Sequence, residues 1–214
     1  MKESKPMKTP LDGNNKLSIE DALKTNEEIN EMRNVPYQSL IGALIYLVVS
    51  TRPDIAYTIS VLSQFNVNPG RMHWVAAKRV LRYLRSTSDH GLTFKKTQEK
   101  LIGFVDADWA SDIDGSFSHT GVVFKLADAV VTWEAQERAE PTIVYCDNQG
   151  AQKLMRNPIY HSRSKHIDIK YHYVREVYKN GDIDVKFLAS SNMIADVFTK
   201  ELFEPSHKKC IEGF

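Results

Sequence analysis

Apolar residues recur at helical spacing over residues 36–87 and at strand spacing after Gly91. Pro36 can stand at a first helical position, and Tyr37, Leu40, Ile41, Leu44, Ile45 and Val48 follow on one face, which predicts a helix. Thr51 and Pro53 interrupt that run, and Pro53 can open a second helix striped by Ile55, Ile59, Leu62 and Phe65. Asn68-Pro69-Gly70 predicts a turn. A third helix follows, with Val75, Val80, Leu81 and Leu84 inward and Lys78, Arg82 and Arg85 outward. Residues 1–35 have few apolar groups and are punctuated by Pro6, Pro10, Gly13, Asn14 and Asn15, so they read as an extended or disordered tail.

Beyond Gly91 the period shortens. Strands are expected at Leu92 to Lys95, Leu101 to Asp106, Gly121 to Leu126, Ala129 to Trp133 and Thr142 to Cys146. Helices are expected near Asn148 to Met155 and Lys165 to Lys179, the second closed by Asn180-Gly181. Asp182 to Leu188 alternates as a strand, and Ser191 to Lys200 reads as a short final helix. The division is a helical region over 36–90, a mixed α/β region over 91–202 and a tail over 203–214.

Composition narrows the classes. Hydrophobic residues are 42% and charged residues 26%, which excludes collagen-like and wholly disordered chains. Lys+Arg is 28 against Asp+Glu 27, so any nucleic-acid footprint must be local rather than global. Two such places exist: the helix carrying Lys78, Arg82 and Arg85, and the stretch from Lys153 to Lys179 with Arg163, Lys165 and Lys170. Each reads either as a phosphate-contacting face or as a solvated helix face. No apolar leader or membrane-length run is seen, so a cytoplasmic or nuclear, non-secreted setting without a membrane partner is expected. Cys146 and Cys210 cannot build a disulfide framework, and Cys146 with His161, His166 and His172 matches no common zinc spacing.

The candidate chemistry lies in three acids. Asp106 and Asp147 each end an apolar strand, and Asp196 sits in the final helical stretch. If the two strands are parallel neighbours, Asp106 and Asp147 converge, an arrangement tolerable chiefly when cations neutralise it. Oxygen-only ligands suit Mg²⁺ or Mn²⁺. Spacing alone reads strand-end aspartates first as turn residues.

Several strings carry a family resemblance. Tyr37-Gln-Ser-Leu-Ile-Gly-Ala-Leu-Ile-Tyr-Leu47, Thr51-Arg-Pro-Asp-Ile-Ala56 and His73-Trp-Val-Ala-Ala-Lys-Arg-Val-Leu-Arg-Tyr-Leu84 resemble the end of the reverse transcriptase region of copia-type retrotransposon Pol polyproteins. Asp106-Ala-Asp-Trp-Ala110, Tyr145-Cys-Asp-Asn-Gln149, His161-Ser-Arg-Ser-Lys-His-Ile-Asp-Ile169 and Ile194-Ala-Asp-Val-Phe-Thr-Lys200 resemble its ribonuclease H domain, in family order. The resemblance implies an α/β fold, a ribonuclease H-like mixed sheet preceded by a small helical remnant. It further implies metal-dependent cleavage of the RNA strand of RNA–DNA hybrids by two Mg²⁺ or Mn²⁺ ions. Asp106 would bridge the ions, Asp147 would ligate one and Asp196 would complete the site, while Asp108 has no assigned role. The polymerase Asp-Asp motif would lie upstream of residue 1.

One departure stands out. The family places a helix bearing a catalytic glutamate between the third strand and the Tyr-Cys-Asp strand. Here Trp133 is followed by only Glu134 to Glu140 before Pro141, so several dozen expected residues are missing. A parallel return must climb about 17 Å and cross about 14 Å sideways, a diagonal of roughly 22 Å. Eight residues reach at most about 28 Å. The connector is therefore nearly taut, with no room for a crossover helix. Glu134, Glu137 and Glu140 are poor substitutes for a ligand on a rigid element. The expected consequences are weak or absent catalysis and an uncovered sheet face prone to self-association. Two readings stand side by side: an impaired hybrid-cleaving nuclease, or a non-catalytic nucleic-acid-binding relic of the same descent.

Overall fold

The structure, a computed structural model, describes residues 4–14, 16–96, 100–108, 119–127, 129–131, 142–156, 176–181 and 183–213. The chain forms two compact units: Met1–Leu92 with Ala107–His119 and Val197–Glu212, and Thr93–Asp106 with Thr120–Asp196 and Gly213–Phe214.

The first unit is helical. It contains α1 (Asn26–Met32), α2 (Tyr37–Ser50), α3 (Ala56–Ser63) and α4 (Arg71–Ser86). Helix α5 (Gln149–Arg156) belongs to the second unit, and α6 (Glu204–Glu212) returns to the first. Pro53 opens a 3-10 turn, Pro53–Ile55, that redirects the chain from α2 into α3. Tyr37, Ile41 and Leu44 of α2 pack with Ile55, Ile59 and Leu62 and with Ala77, Val80 and Tyr83 of α4. Val75, expected inward, is 49% exposed, because His73, Ala77, Val80 and Tyr83 form the buried face of α4 and Val75 falls off it. The Gly70 N–H donates to His73 Nδ1 at 2.9 Å, the other ring nitrogen lies 3.1 Å from the Ser18 carbonyl, and Phe65 stacks on the ring at 3.9 Å. Gly70 is required there, since a Cβ would fall 1.7 Å from the Asp21 carbonyl oxygen.

The same unit holds a buried polar cluster. Arg52 Nε and Nη2 donate to both oxygens of Asp54 at 2.9 and 2.7 Å, and Nη1 and Nη2 reach the Thr87 carbonyl and hydroxyl at 3.0 and 2.6 Å. The Tyr83 hydroxyl donates to Asp54 at 2.7 Å, and His207 packs edge-on against Tyr83.

Two expected tails are corrected. Residues 1–35 include α1, started by a Thr25–Glu28 capping box, and place Thr9 and Leu11 in buried positions. Residues 203–214 include α6, because His207 and Cys210 give it a buried side. The Glu201 carboxyl precedes that helix. Burial first, and the Asp12 carboxylate second, push it up to about 7 against weaker lowering by Arg79 and Lys16. Among the described residues, one of its oxygens is buried with no hydrogen-bond partner. An acid whose folded pKa is raised contributes stability that is fully present below its unfolded value and is lost as pH rises through about 7. Glu201→Gln is therefore expected to stabilise the protein at pH 8 by on the order of 1–2 kcal/mol after solvent screening, with little change near pH 5. Urea denaturation at both pH values measures this; equal effects at the two would refute it.

The second unit is built on a five-stranded mixed sheet of order β3-β2-β1-β4-β5. The strands are β1 (Ile102–Asp108), β2 (His119–Leu126), β3 (Ala129–Val130), β4 (Thr142–Cys146) and β5 (Ile183–Phe187). β4 lies parallel to β1 and to β5, and β2 lies antiparallel to β3. Helix α5 starts three residues after β4 ends. Gly103 lets Phe124 lie against β1, since a Cβ would sit 2.9 Å from its ring. Gly181, at φ +81, follows helical residues 176–179, as Asn180-Gly181 suggested.

Three further expectations change. Residues 92–95 form no strand; Lys95 makes a backbone bond to the Ala127 carbonyl at 2.9 Å without a continuous ladder. The expected helix over 191–200 is two 3-10 segments, Ser190–Asn192 and Ile194–Phe198, separated by the extended Met193. The helix over 165–179 is described only at 176–179, and residues 132–141 lie outside the described residues.

Candidate functional site

β1 and β4 run side by side in parallel, with Phe104 opposite Tyr145 and Val105 opposite Cys146. The next positions in this register are Asp106 and Asp147. Neighbouring strands lie about 4.8 Å apart, so the two acids stand on adjacent strands, Asp147 just past the end of β4 and Asp106 two residues before the end of β1, which runs on beyond its expected end at Asp106. Side chains alternate along a strand. Asp106 therefore shares a face with Phe104, whose ring stacks on Tyr145 at 5.3 Å. Asp106 is buried, only 3% exposed.

Asp147 is half-buried where β4 turns into α5. Ser190, just past the end of β5, donates its hydroxyl to Asp147 Oδ2 at 2.7 Å. Asn148 caps α5, its side-chain oxygen accepting from the Ala151 N–H at 3.0 Å. Gln152 then turns back and donates to the Cys146 carbonyl at 2.8 Å. Three parallel strands and one helix start thus hold Asp147. Cys146, between the two acids in this corner, has its thiol pushed up by burial and further by Asp147 and Asp106, against lowering by the Asn148 backbone. A raised thiol leaves less thiolate, the nucleophilic form, at neutral pH.

The third expected ligand behaves differently. Asp196 is half-buried in the 3-10 segment Ile194–Phe198. Among the described residues, no group of three His, Cys, Asp or Glu side chains is gathered closely enough to hold a metal ion. The trio is therefore not assembled, and what the parallel register sets on neighbouring strands is Asp106 and Asp147. Asp108 is the last residue of β1, and its side chain lies outside the described residues.

The basic candidates divide as well. Lys78 Nζ lies over the Trp74 ring at 5.6 Å. Arg82 and Arg85 reach back to the carbonyls of Lys5 and Ser4 at 2.6 and 2.9 Å. Arg163, Lys165 and Lys170 lie outside the described residues. Sequence reasoning missed Ser190 and Gln152, whose roles depend on which strands become neighbours. It also missed the partners of Arg82 and Arg85, because residues 4–12 carry no periodic signal.

Comparison with known proteins decides the lineage. The chain is 35% identical over 247 aligned positions to the retrovirus-related Pol polyprotein from transposon TNT 1-94 of Nicotiana tabacum, covering 99% of this chain. The Pol polyproteins from transposons RE2 and RE1 of Arabidopsis thaliana are 32% and 34% identical over 94% and 93% of it. The chain belongs to the copia-type retrotransposon Pol polyproteins. It spans 16–19% of the length of these relatives. No family model matches this Pol chain. No solved structure matches it either. The 247 aligned positions exceed its 214 residues, so the tobacco relative carries at least 33 positions without a counterpart here (247 less 214). That shortfall agrees in size with the several dozen residues expected between Trp133 and Pro141. Among the described residues, no helix is long and apolar enough to cross a membrane.

Proposed function

We propose that this Pol chain carries a ribonuclease H-like domain directed at RNA–DNA hybrids, with an incomplete metal site and correspondingly weak cleavage. The observation that supports it most is the parallel register of β1 and β4, which ends with Val105 opposite Cys146 and so sets Asp106 and Asp147 one position further on along adjacent strands, in a Pol-family chain. The donor chemistry fits a hard divalent ion such as Mg²⁺ or Mn²⁺, since both side chains offer oxygen alone. The donor set does not fit a two-ion centre: Asp196 is not gathered with the pair among the described residues, and the glutamate-bearing crossover helix has no room in the sequence. When bound, such ions would supply charge stabilisation to phosphodiester hydrolysis.

What the chain's own residues do is more limited. β1 and β4 set the two acids one position beyond Val105 and Cys146, Ser190 donates to Asp147, and Asp106 is buried. The chain would act in the cytoplasm or nucleus. Its exposed Val122 and Phe187, on β2 and β5, offer apolar surface for self-association.

The test combines Mn²⁺ titration with a hybrid-cleavage assay on the purified chain. Weak Mn²⁺ binding that disappears in Asp106→Asn and in Asp147→Asn is expected, with cleavage in Mg²⁺ near the no-protein background. Mn²⁺ binding untouched by either substitution would remove the site. Rapid turnover abolished by Asp106→Asn would show that the donor set is complete after all.

A further inference from the structure

Two buried polar atoms of the helical unit belong to the walls of one small cavity. Glu201 Oε1, ahead of α6, and His207 Nε2, on α6, are each buried with no hydrogen-bond partner among the described residues. Both residues line a cavity with about 10 Å³ of space for the centre of a water molecule, which is room for one. Its other walls come from distant parts of the same unit: Pro10 and Leu11 near the start of the chain, and Asp54 and Thr58 around the turn into α3. His207 is only 4% exposed, so an unpaired Nε2 would carry its full desolvation penalty.

Neighbouring groups fix the hydrogen-bonding roles of the two atoms. The Asp54 backbone carbonyl accepts a hydrogen bond from the His207 ring. Nε2 makes none, so Nδ1 is the donor. In the neutral imidazole Nε2 then carries only a lone pair and accepts. Burial holds that imidazole below its ordinary range, helped by Arg52 and His90, against raising by Asp54. Burial likewise keeps the Glu201 carboxyl up at about 7, with Asp12 adding to it and Arg79 and Lys16 opposing. Lys200 and Tyr57 also line the cavity. An imidazole that only accepts and a carboxyl that titrates near neutrality need a partner able to change its own donors and acceptors. A water does this. It accepts from the protonated carboxyl and donates to Nε2, or it donates one hydrogen to each once the carboxyl ionises. Two polar partners meet the minimum for a buried water.

We propose that this cavity is a binding site for one ordered water, through which Glu201 and His207 form a hydrogen-bonded pair that fastens α6 to the rest of the helical unit. The cavity lies wholly in that unit, so the proposal stands apart from the reading of the aspartates on the sheet.

A crystal structure of the full chain, grown at about pH 6 where the carboxyl is protonated, tests the site directly. One water within about 3 Å of both Glu201 Oε1 and His207 Nε2 is expected. A direct bond between the two side chains, or no density for a water between them, would overturn the proposal. Urea denaturation under the same conditions measures the coupling. Glu201→Leu and His207→Phe each remove one partner. The unfolding constant of the double variant should change less than the product of the two single changes, by on the order of tenfold. Effects that simply multiply would overturn the pair. Nitrogen NMR of the His207 ring decides the matter even where His207→Phe does not fold. Nε2 should show a hydrogen-bonded lone pair in the unaltered chain and in Glu201→Gln, which keeps a polar end, but not in Glu201→Leu. A signal that Glu201→Leu leaves unchanged, or a protonated Nε2 in the unaltered chain at neutral pH, would overturn it.

Discussion

Asp54→Ala is expected to destabilise the helical unit by about 3–5 kcal/mol, because it leaves Arg52 buried without its counter-charge. Arg52 and Asp54 are 8% and 4% exposed at their side chains, and two parallel bonds join them. Removing one partner forfeits the attraction and keeps the other's desolvation penalty. The Tyr83 hydroxyl would lose its acceptor as well. Arg52→Met should cost a similar amount, since Asp54 then stays buried without its guanidinium. The double variant Arg52→Met/Asp54→Leu should cost clearly less than the two singles added, since no buried charge remains. Urea denaturation of the four proteins measures the coupling, and strict additivity would refute it.

The same pair sets an acid limit on stability. Burial raises the Asp54 carboxyl, but the Arg52 guanidinium and the Tyr83 hydroxyl together outweigh burial and hold it below the usual carboxylate range. A depressed carboxyl contributes stability that is fully present above its unfolded value and is lost as pH falls through its folded value. Destabilisation by Asp54→Ala should therefore be full at neutral pH and shrink in acid.

The other large effect concerns chemistry. Inserting the tobacco relative's corresponding stretch between Trp133 and Pro141 should raise Mg²⁺-dependent hybrid cleavage by on the order of 10²-fold or more. Loss of groups that merely orient metal ligands already costs about 10–100-fold in comparable sites, so a missing ligand-bearing helix should cost at least as much. The insert lengthens the link between β3 and β4, which are separated in the sheet by β2 and β1. It supplies a rigid element where the present chain has a few residues. Asp106→Asn in the grafted protein should return cleavage to background. A graft with an unchanged circular dichroism melting curve and no gain in cleavage would sink the idea that the missing stretch limits activity.

Much of the local structure was legible in the residues. Helical spacing over 36–87, the break at Pro53 and the Asn68-Pro69-Gly70 turn correspond to α2, α3 and α4. β1 and β4 follow from short apolar runs bounded by polar residues, although β1 runs past the expected end at Asp106 to Asp108. The errors fell where periodicity is weak. Residues 92–95 looked like a strand but have no continuous ladder, and strand propensity needs a partner to be realised. Glu204 to Glu212 looked like a tail, because a helix whose buried side is His207 and Cys210 shows little amphipathic pattern.

By itself the sequence determined which residues are apolar, where helices and strands break, and where acids and bases stand along the chain, because these depend on neighbours a few positions away. Only the tertiary structure decided that β4 lies beside β1 in the parallel register that sets Phe104 opposite Tyr145 and Val105 opposite Cys146. It likewise decided that Ser190 braces one acid and that the arginines of α4 clasp residues 4–9. Those outcomes join segments dozens of positions apart, and such contacts are chosen by the packing of whole elements, which no local pattern encodes.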